Sequence, residues 1–247
     1  MAQQTYYEKP ALLDREKHRK VRVQPTGGFG FARKSNSLYI AAVEFNEACK
    51  EYPIVFTRGN GKTVPVAVLG LREKENLFVD SQDRWAARYL PAFLHRYPFV
   101  LAEIPGQALA VCIDEAYGGI SETEGQALFD EKGQETPFLK QTLEFLTQYQ
   151  REHARTEAFC KRLEDNGLLK ETNAQANLRD GRSYALNGLL VVDEKKLLEL
   201  PDAVALAMFR SGELHLITAH LVSLSNMQRL ADRLADRPEA PAATPAT

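Results

Sequence analysis

The alternation of apolar and polar positions predicts strands in the first half of the chain. Apolar runs at residues 52–56 and 64–70 flank a turn that contains Asn60-Gly61, which is a strong indication of a β-hairpin. Further strands are predicted at 37–43 and 76–79. Residues 85–96 have helical spacing, and Pro91 should kink that helix or split it in two.

The second half of the chain has the spacing of helices. A long amphipathic helix is predicted from the N-cap Thr136 and Pro137 to a left-handed C-cap at Asn166-Gly167. A polar loop, a strand at 183–192 and three shorter helices should follow. Those helices are predicted at 194–199, 201–211 and 214 to about 234. Strands first and helices later predict an α+β fold: a mostly antiparallel sheet built from hairpins, covered by the long helix and a C-terminal group of shorter helices.

A second predicted hairpin repeats the first. Tyr97-Pro98 follows Tyr52-Pro53 by 45 positions, and Gly106 and Val111 keep the same offset from Gly61 and Val66. One interpretation is a duplicated hairpin within one sheet. The other is shared turn chemistry in two unrelated hairpins, and the pattern favours neither.

The composition is that of an ordinary soluble protein. In 247 residues, 44% are hydrophobic and the net charge is −2, which excludes collagen-like and wholly disordered chains and argues against a nucleic-acid partner. We find no stretch apolar enough to span a membrane and no secretory signal, so we expect a cytoplasmic protein. We expect an irregular arm at 1–13, a single domain at 14–235 and a disordered Pro/Ala/Thr-rich tail at 236–247.

The charge is unevenly distributed. Eight carboxylates and one cation, Lys132, lie between Glu103 and Glu135. Within this stretch, residues 112–125 leave a predicted strand and form a loop with eight candidate binding residues. They are Asp114, Glu115, Tyr117, Gly118, Gly119, Ser121, Glu122 and Glu124.

A less specific interpretation of this loop is a solvated acidic turn. Ser121 and Glu124 have the spacing of a capping box, so Glu124 could do no more than start a short helix. A calcium loop that begins at Asp114 fails, because Ala116, Gly118 and Gly125 stand where oxygen ligands are needed.

Other motifs give no site. His215 and His220 are five residues apart, whereas a helical zinc pair needs four, so we predict no metal and no cofactor. The turn Gly27-Gly28-Phe29-Gly30-Phe31 lacks dinucleotide-loop spacing. A basic run at 15–22 could contact the acidic stretch of this chain or of a partner, although ordinary solvated charge is the favoured interpretation.

Several segments together resemble one family, the SapC-like proteins of bacteria. They are Leu13-Asp14-Arg15-Glu16-Lys17-His18-Arg19, Tyr52-Pro53-Ile54-Val55-Phe56, Leu69-Gly70-Leu71-Arg72, Glu75-Asn76-Leu77-Phe78, Arg96-Tyr97-Pro98-Phe99, Cys112-Ile113-Asp114-Glu115, Ser121-Glu122-Thr123-Glu124-Gly125, Leu128-Phe129-Asp130, Thr156-Glu157-Ala158-Phe159-Cys160 and His220-Leu221-Val222-Ser223-Leu224-Ser225-Asn226. The resemblance covers about residues 10–235. It implies a link to a surface-layer gene cluster but no catalytic residues, and it is unrelated to the peptide-transporter permease that shares the label.

Two functions follow as hypotheses. The first is a cytoplasmic accessory or binding protein for surface-layer or cell-envelope systems, with a protein partner that the sequence does not identify and a small-molecule or peptide ligand. The alternative is an enzyme, or the partner of one, that acts on a small molecule or peptide. In that case Asp114, Glu115 or Glu122 would supply acid–base or metal chemistry beside Tyr117.

Overall fold

The α+β fold is confirmed. The computed structural model describes residues 6–24, 28–59, 61–102, 110–177 and 181–237. The strands are β1 (Pro10–Leu12), β2 (Arg22–Val23), β3 (Ser37–Tyr39), β4 (Ile54–Gly59), β5 (Lys62–Val68), β6 (Phe99–Ala102), β7 (Ala110–Asp114), β8 (Ile120–Ser121), β9 (Gln126–Ala127), β10 (Leu169–Asn177) and β11 (Ser183–Val192). The helices are α1 (Phe45–Ala48), α2 (Ala92–His95), α3 (Pro137–Asp165), α4 (Glu194–Leu198), α5 (Asp202–Arg210), α6 (Glu213–Ser223) and α7 (Asn226–Ala235).

Within the described ranges the strands form three antiparallel sheets. A five-stranded sheet has the order β10-β11-β4-β5-β3, a three-stranded sheet has the order β1-β7-β6, and a small sheet has the order β8-β2-β9. The strand β1 lies inside the segment expected to be an irregular arm, and it pairs with β7 from Pro10 opposite Asp114 to Leu12 opposite Cys112. The arm therefore adds a strand to the second hairpin.

The long helix α3 forms as predicted. The Oγ1 of Thr136 accepts a hydrogen bond from the Leu139 N–H (3.3 Å), Pro137 is the first helical residue, and Gly167 follows the C-cap with a φ of +62°. Its 29 residues span about 43 Å at a rise of 1.5 Å per residue. That length allows one helix to cross both of the larger sheets.

Two hydrophobic cores meet along this helix. The larger core covers the five-stranded sheet and includes Tyr149 and Phe159 of α3, whereas the smaller core lies on β6 and β7 and includes Leu139 and Leu146. Tyr97, which comes just before β6, is half-buried and packs against both cores. The boundary between the cores therefore runs past Tyr97.

The two predicted hairpins form, but in different sheets, so duplication within one sheet is wrong. β4–β5 belongs to the five-stranded sheet and β6–β7 to the three-stranded one. Each hairpin still carries a short antiparallel strand, β3 or β1, on its second member. The hydrogen bond from Val68 N to Pro53 O (2.9 Å) also has its counterpart between Asp114 N and Pro98 O (2.9 Å).

Two predictions in the middle of the chain are wrong. Residues 76–79 bury Leu77 and Phe78 but bond to loops instead of a strand; Leu77 N donates to Leu69 O (2.8 Å), for example. Residues 85–91 are not helical, because their backbone amides bond elsewhere: Ala86 N donates to Phe78 O (2.7 Å), and a carboxylate takes the amides of Arg88 and Tyr89. Glu51 Oε1 accepts from Arg88 N (2.9 Å), and only α2 after Pro91 is a helix.

Two further differences lie near the C-terminus. The single helix predicted from 214 to about 234 is divided into α6 and α7 at Leu224 and Ser225, where the Ser225 hydroxyl donates to Val222 O (2.8 Å). The predicted polar loop before residue 183 contains strand β10, which pairs with β11 over its length. Because β10 is an edge strand with a polar sequence, apolar alternation does not mark it.

Some predicted features lie outside the described residues. They are Gly27, Asn60, Glu103, Gly106 and the tail from 238 to 247. The two tail residues that are described, Asp236 and Arg237, follow α7, and the Arg237 guanidinium donates to Asn76 O (3.2 Å) and Val79 O (3.0 Å).

Candidate functional site

The structure has two adjoining cavities, which we call the outer and the inner cavity. The outer cavity has a volume of about 550 Å³ and lies where three segments meet. These are the N-terminal arm, the turn that starts at Gly28, and the loop after β7. Its walls combine aromatic rings with both signs of charge. The residues that matter for the argument are Tyr6, Glu8, Phe31, Lys34, Asp83 and Tyr117.

The inner cavity, of about 200 Å³, adjoins the outer one. One wall is a single face of α3 with Phe138, Thr142 and Phe145, at the spacing of successive helical turns, and the facing wall includes Leu94 and Phe99. Phe138 and Phe145 are only half-buried, so their rings remain accessible from the cavity side. The inner cavity is thus lined mostly by apolar and aromatic side chains, and His95 and Arg96 add a titratable and a charged group to its lining.

Three aromatic residues line both cavities: Phe31, Tyr97 and Tyr117. The rings of Phe31 and Tyr97 stack at 4.1 Å between centroids, and Tyr117 meets Tyr97 edge to face at 5.1 Å. The Tyr117 hydroxyl donates to Gln24 O (2.7 Å) and the Tyr97 hydroxyl to Asp114 Oδ2 (3.0 Å). Burial, and then the bond to Asp114, raise the pKa of Tyr97, so its hydroxyl stays a neutral donor.

Asp83 fixes the glycine-aromatic turn at the edge of both cavities. Its carbonyl accepts from Phe29 N (2.7 Å), and its carboxylate accepts from Arg33 (2.5 Å). A Cβ on Gly30 would lie 2.7 Å from Asp83 Oδ1, and Gly28 has a φ of +92°. Glycine at these two positions therefore lets the turn lie directly on Asp83.

Asp114 holds the N-terminal arm in place. It is fully buried, and its carboxylate accepts from the backbone amides of Glu8 (2.9 Å), Lys9 (2.8 Å) and Ala116 (3.1 Å) as well as from Tyr97. Burial by itself raises the pKa of this carboxyl, but the hydrogen bonds outweigh it and the pKa is lowered. Asp114 is therefore an ionised anchor whose acceptor sites are occupied.

Glu115 joins the basic run to the acidic stretch. Its carboxylate pairs with Lys17, with Lys9 (3.0 Å) and with His18 Nε2 (3.4 Å). The hydrogen bonds from Lys17 and Lys9 lower the pKa of Glu115 to about 2. The favoured interpretation of the basic run as ordinary solvated charge is therefore wrong, and the contact with the acidic stretch of the same chain is confirmed.

The remaining predicted carboxylates lie apart from the cavities. Glu122 and Glu124 are exposed, and Glu124 accepts a bond from the Gln24 side chain (3.0 Å). The Ser121 hydroxyl accepts from Thr123 N and Glu124 N (3.1 Å each), as in a capping box, but the chain forms a turn between β8 and β9 and no helix starts there. The predicted short helix is wrong because Gly125, with a φ of +98°, turns the chain into β9.

The structure thus separates the eight predicted site residues into three groups. Tyr117 and Gly118 line the outer cavity, and Gly119 packs beneath the Tyr117 ring. Asp114 and Glu115 secure the arm that forms one wall, whereas Ser121, Glu122 and Glu124 belong to the turn before β9.

The comparison with protein families matches the chain from residue 13 to residue 230 to a family described as SapC. The chain belongs to the SapC family. No curated protein and no solved structure matches it. Most of the cavity walls of this SapC-family protein fall within the matched residues, whereas Tyr6 and Glu8 of the arm precede them.

Among the residues that the structure describes, no helix combines the length and apolar character needed to cross a bilayer. The same residues contain no group of three or more His, Cys, Asp or Glu side chains placed to hold a metal ion.

Sequence reasoning missed several cavity residues of this SapC-family protein, namely Tyr6, Glu8, Phe31, Lys34, Asp83 and Tyr97. The signal that could have found one of them, Phe31, is the turn Gly28-Phe29-Gly30-Phe31. Glycines between aromatic residues allow a close backbone approach while the rings line a cavity.

Proposed function

We propose that this SapC-family protein is a cytoplasmic accessory protein that binds a small molecule or a short peptide. The observation that carries the proposal is the pair of adjoining cavities with a shared aromatic wall. The outer volume of about 550 Å³ falls within the range of roughly 300–1,000 Å³ that is usual for small-molecule sites. A link to the surface layer or another cell-envelope system rests on the family resemblance.

The shared wall favours binding because it is held in one arrangement. Tyr97 and Tyr117 each have a hydroxyl hydrogen bond, and Phe31 stacks on Tyr97. Rings that are already fixed lose little conformational entropy when a ligand binds, which favours affinity. Fixed aromatic rings beside charged side chains in both cavities, with Lys34 and Asp83 in the outer one and Arg96 in the inner one, suit an amphipathic ligand.

The positions of the loop carboxylates give the enzyme alternative little support. Asp114 is occupied by four donors and Glu115 is shared among two lysines and His18, while Glu122 is exposed outside the cavities. A general acid or base needs an atom that can reach the reacting group. These three side chains instead support the arm and the surface.

Binding can be tested with 1-anilinonaphthalene-8-sulfonate, a fluorescent amphipathic probe. We expect saturable enhancement of its emission by the native protein, and at least tenfold weaker binding by Phe31→Ser. A matched control is Phe209→Ser on α5, because Phe209 is 69% exposed and lines neither cavity. Near-ultraviolet circular dichroism should show that both variants keep native packing, since loosely packed states also bind this dye. Equal binding by the wild type and Phe31→Ser would contradict the proposal.

The envelope role needs a test in the source organism. We expect a strain that carries only Phe31→Ser to show the same surface-layer or envelope defect as a deletion strain, and Phe209→Ser to behave as wild type. A deletion strain with an unaltered envelope would remove the cellular part of the proposal and leave the binding part to the dye titration.

A further inference from the structure

We infer that the protein pairs with a second copy of itself through helix α5, with the two α5 helices antiparallel about a two-fold axis beside Leu206. The inference does not rest on the proposed function, because no residue of α5 lines either cavity. It is drawn from the side of α5 that the rest of the chain leaves uncovered and from the charges at the two ends of that side.

Helix α5 carries apolar side chains all round between two charged ends. Every position from 203 to 209, in the sequence Ala-Val-Ala-Leu-Ala-Met-Phe, is apolar, and the helix begins with Asp202 and ends with Arg210. A surface helix normally combines an apolar side with a polar one, whereas a helix that is apolar all round is buried. The sequence of α5 therefore indicates that both of its sides are covered.

Among the residues that the structure describes, only one side of α5 is covered. Met208 is fully buried in the larger core, and Val204, one turn earlier, packs against that core. Leu206 is 48% exposed and Phe209 is 69% exposed. At 100° per residue, Leu206 lies about 160° around the helix from both Val204 and Met208, so it faces away from the core. The outward side of α5 is therefore an apolar surface in contact with water.

The two ends of this outward side carry opposite charges. Asp202 and Arg210 each lie four residues from Leu206 on the same side of the helix, and both are exposed. Neither takes part in an ion pair within the part of the chain that the structure describes. The outward side thus has one unpaired anion and one unpaired cation at equal distances from its central leucine.

This charge pattern is complementary to itself when the helix is reversed. In an antiparallel pair with Leu206 at the two-fold axis, Asp202 of each copy lies at the same level as Arg210 of the other, about 6 Å along the helix from the axis. In a parallel pair, each charge would lie beside the same charge of the second copy. The charges therefore favour the antiparallel arrangement, and the net charge of −2 adds little repulsion between two copies.

The size of the surface predicts a weak and reversible dimer. Stable interfaces bury roughly 800 Å² on each partner, whereas the nine residues of α5 span only about 14 Å. We therefore expect a dissociation constant on the order of 10–100 μM.

Sedimentation equilibrium of the full chain tests the pairing. As the protein concentration increases from about 1 to about 300 μM, the mean mass of the wild type should rise from 27.7 kDa towards twice that value. Leu206→Asp should remain a monomer, because it places two carboxylates against each other at the axis. A wild type that stays monomeric at the highest concentration would overturn the inference.

Exchange of the two charges tests the antiparallel arrangement. Asp202→Arg and Arg210→Asp should each weaken association at least about tenfold, because like charges then meet across the axis. The double variant that carries both substitutions should return to within about threefold of the wild type, since opposite charges again lie at the same level. A double variant that associates as weakly as the single ones would overturn the arrangement.

The control for the charge variants is Glu144→Arg at an exposed position of α3. It changes the net charge by the same amount as Asp202→Arg and should leave association unaltered. Circular dichroism should show that each variant is folded. If a charge-reversal variant does not fold, Asp202→Asn and Arg210→Gln take its place, and each should weaken association about threefold because it removes a charge without reversing it. Wild-type association in both of these variants would overturn the arrangement.

A lipid surface is the competing occupant of α5. If the wild type stays monomeric but sediments with vesicles of phosphatidylcholine and phosphatidylglycerol, and Leu206→Asp does not, the second-copy inference is overturned in favour of a membrane contact. The cavities are tested separately, because Leu206→Asp should bind 1-anilinonaphthalene-8-sulfonate as the wild type does. Dimerisation without Phe31-dependent dye binding would overturn the proposed function and leave the pairing in place.

Discussion

The backbone N–H of Val192 donates a hydrogen bond to Nε2 of His220 (3.1 Å), and Nδ1 of the same buried ring donates to the carbonyl of Ile54 (2.8 Å). Counted from the pair Leu190–Phe56, Val192 lies opposite Ile54 in the antiparallel pairing of β11 with β4. The imidazole therefore continues the hydrogen-bonding ladder between these strands beyond its one backbone pair. This arrangement requires a neutral ring that both donates and accepts.

His220 should make stability depend on pH. Burial lowers the pKa of His220 from 6.5 to about 4, so the folded state favours the neutral ring. The contribution is fully present above pH 6.5 and is lost as the pH falls from 6.5 towards 4, because the unfolded chain takes up the proton first. At pH 5 the loss should be roughly 2 kcal/mol of unfolding free energy, measured by urea unfolding at pH 7.5 and pH 5.

The matched controls for this prediction are His220→Asn and His215→Gln. We expect His220→Asn to be less stable than the wild type at pH 7.5, and the difference to shrink at pH 5. His215 is exposed on the same helix, so His215→Gln should keep the wild-type pH dependence. A constant difference between His220→Asn and the wild type at both pH values would contradict the assignment.

Asp114→Asn should release the N-terminal arm. The amide has one acceptor oxygen instead of two, so its NH₂ group must face either Glu8 N or Lys9 N, donor against donor. A buried donor left without a partner costs about 1–3 kcal/mol, so we expect a loss of stability of this size. Hydrogen exchange of the Glu8 and Lys9 amides should become faster in this variant.

The control for Asp114→Asn is Glu122→Gln at an exposed position, which should leave these exchange rates unchanged. If the Glu8 and Lys9 amides exchange as slowly in Asp114→Asn as in the wild type, the arm is held by other contacts.

Lys17→Gln should raise the pKa of Glu115. The hydrogen bond from Lys17 is the largest cause of the low value of about 2, so its removal should move the pKa towards 4.5, as followed by ¹³C NMR of the carboxyl group. The wild-type pair stabilises the fold above pH 4.5 and loses this contribution between pH 4.5 and 2; the variant should lose less. Lys20→Gln in the same basic run is the control, and an equal pKa change there would argue for a general charge effect.

Two adjacent glycines provide a test of the cavity wall. A Cβ on Gly119 would lie 2.6 Å from Cε1 of Tyr117, whose ring is 8% exposed and cannot move aside without breaking the bond to Gln24. We expect Gly119→Ala to cost about 1–3 kcal/mol in urea unfolding and to weaken dye binding. Gly118→Ala meets nothing within 4 Å, so it should unfold as the wild type. Equal stability of the two variants would show that Tyr117 is not fixed.

Local patterns predict much of the fold. The caps at Thr136 and Gly167 mark the ends of α3, and apolar runs mark both hairpins. The failures occur where side chains satisfy the backbone. Glu51 takes the amides that would have formed a helix near Arg88, and Ser225 interrupts an apolar pattern that has no glycine or proline at the break. Such bonds join residues distant in sequence or leave the apolar periodicity unchanged, so hydrophobic spacing does not reveal them.

The candidate site was only partly predictable from the sequence, because the uneven charge of the acidic stretch pointed to residues 112–125 alone. Tyr117 and Gly118 were found since they lie in that loop. Phe31, Asp83 and Tyr97 lie 20 to 86 residues before Tyr117 in the chain, and only the fold brings them together. The charge of Asp114 and Glu115 is real but serves the arm. An excess of carboxylates thus located the right region of the molecule for the wrong chemical reason.

The helix α3 contributes side chains to both hydrophobic cores. Loss of either core would strip Leu146 or Tyr149, one turn apart, of its packing partners, so the two hairpin sheets should unfold in one cooperative transition. Phe138 and Phe145 of the same helix line the inner cavity, so a ligand bound there would contact α3. Occupancy there should therefore raise the melting temperature of the whole chain and leave the transition single.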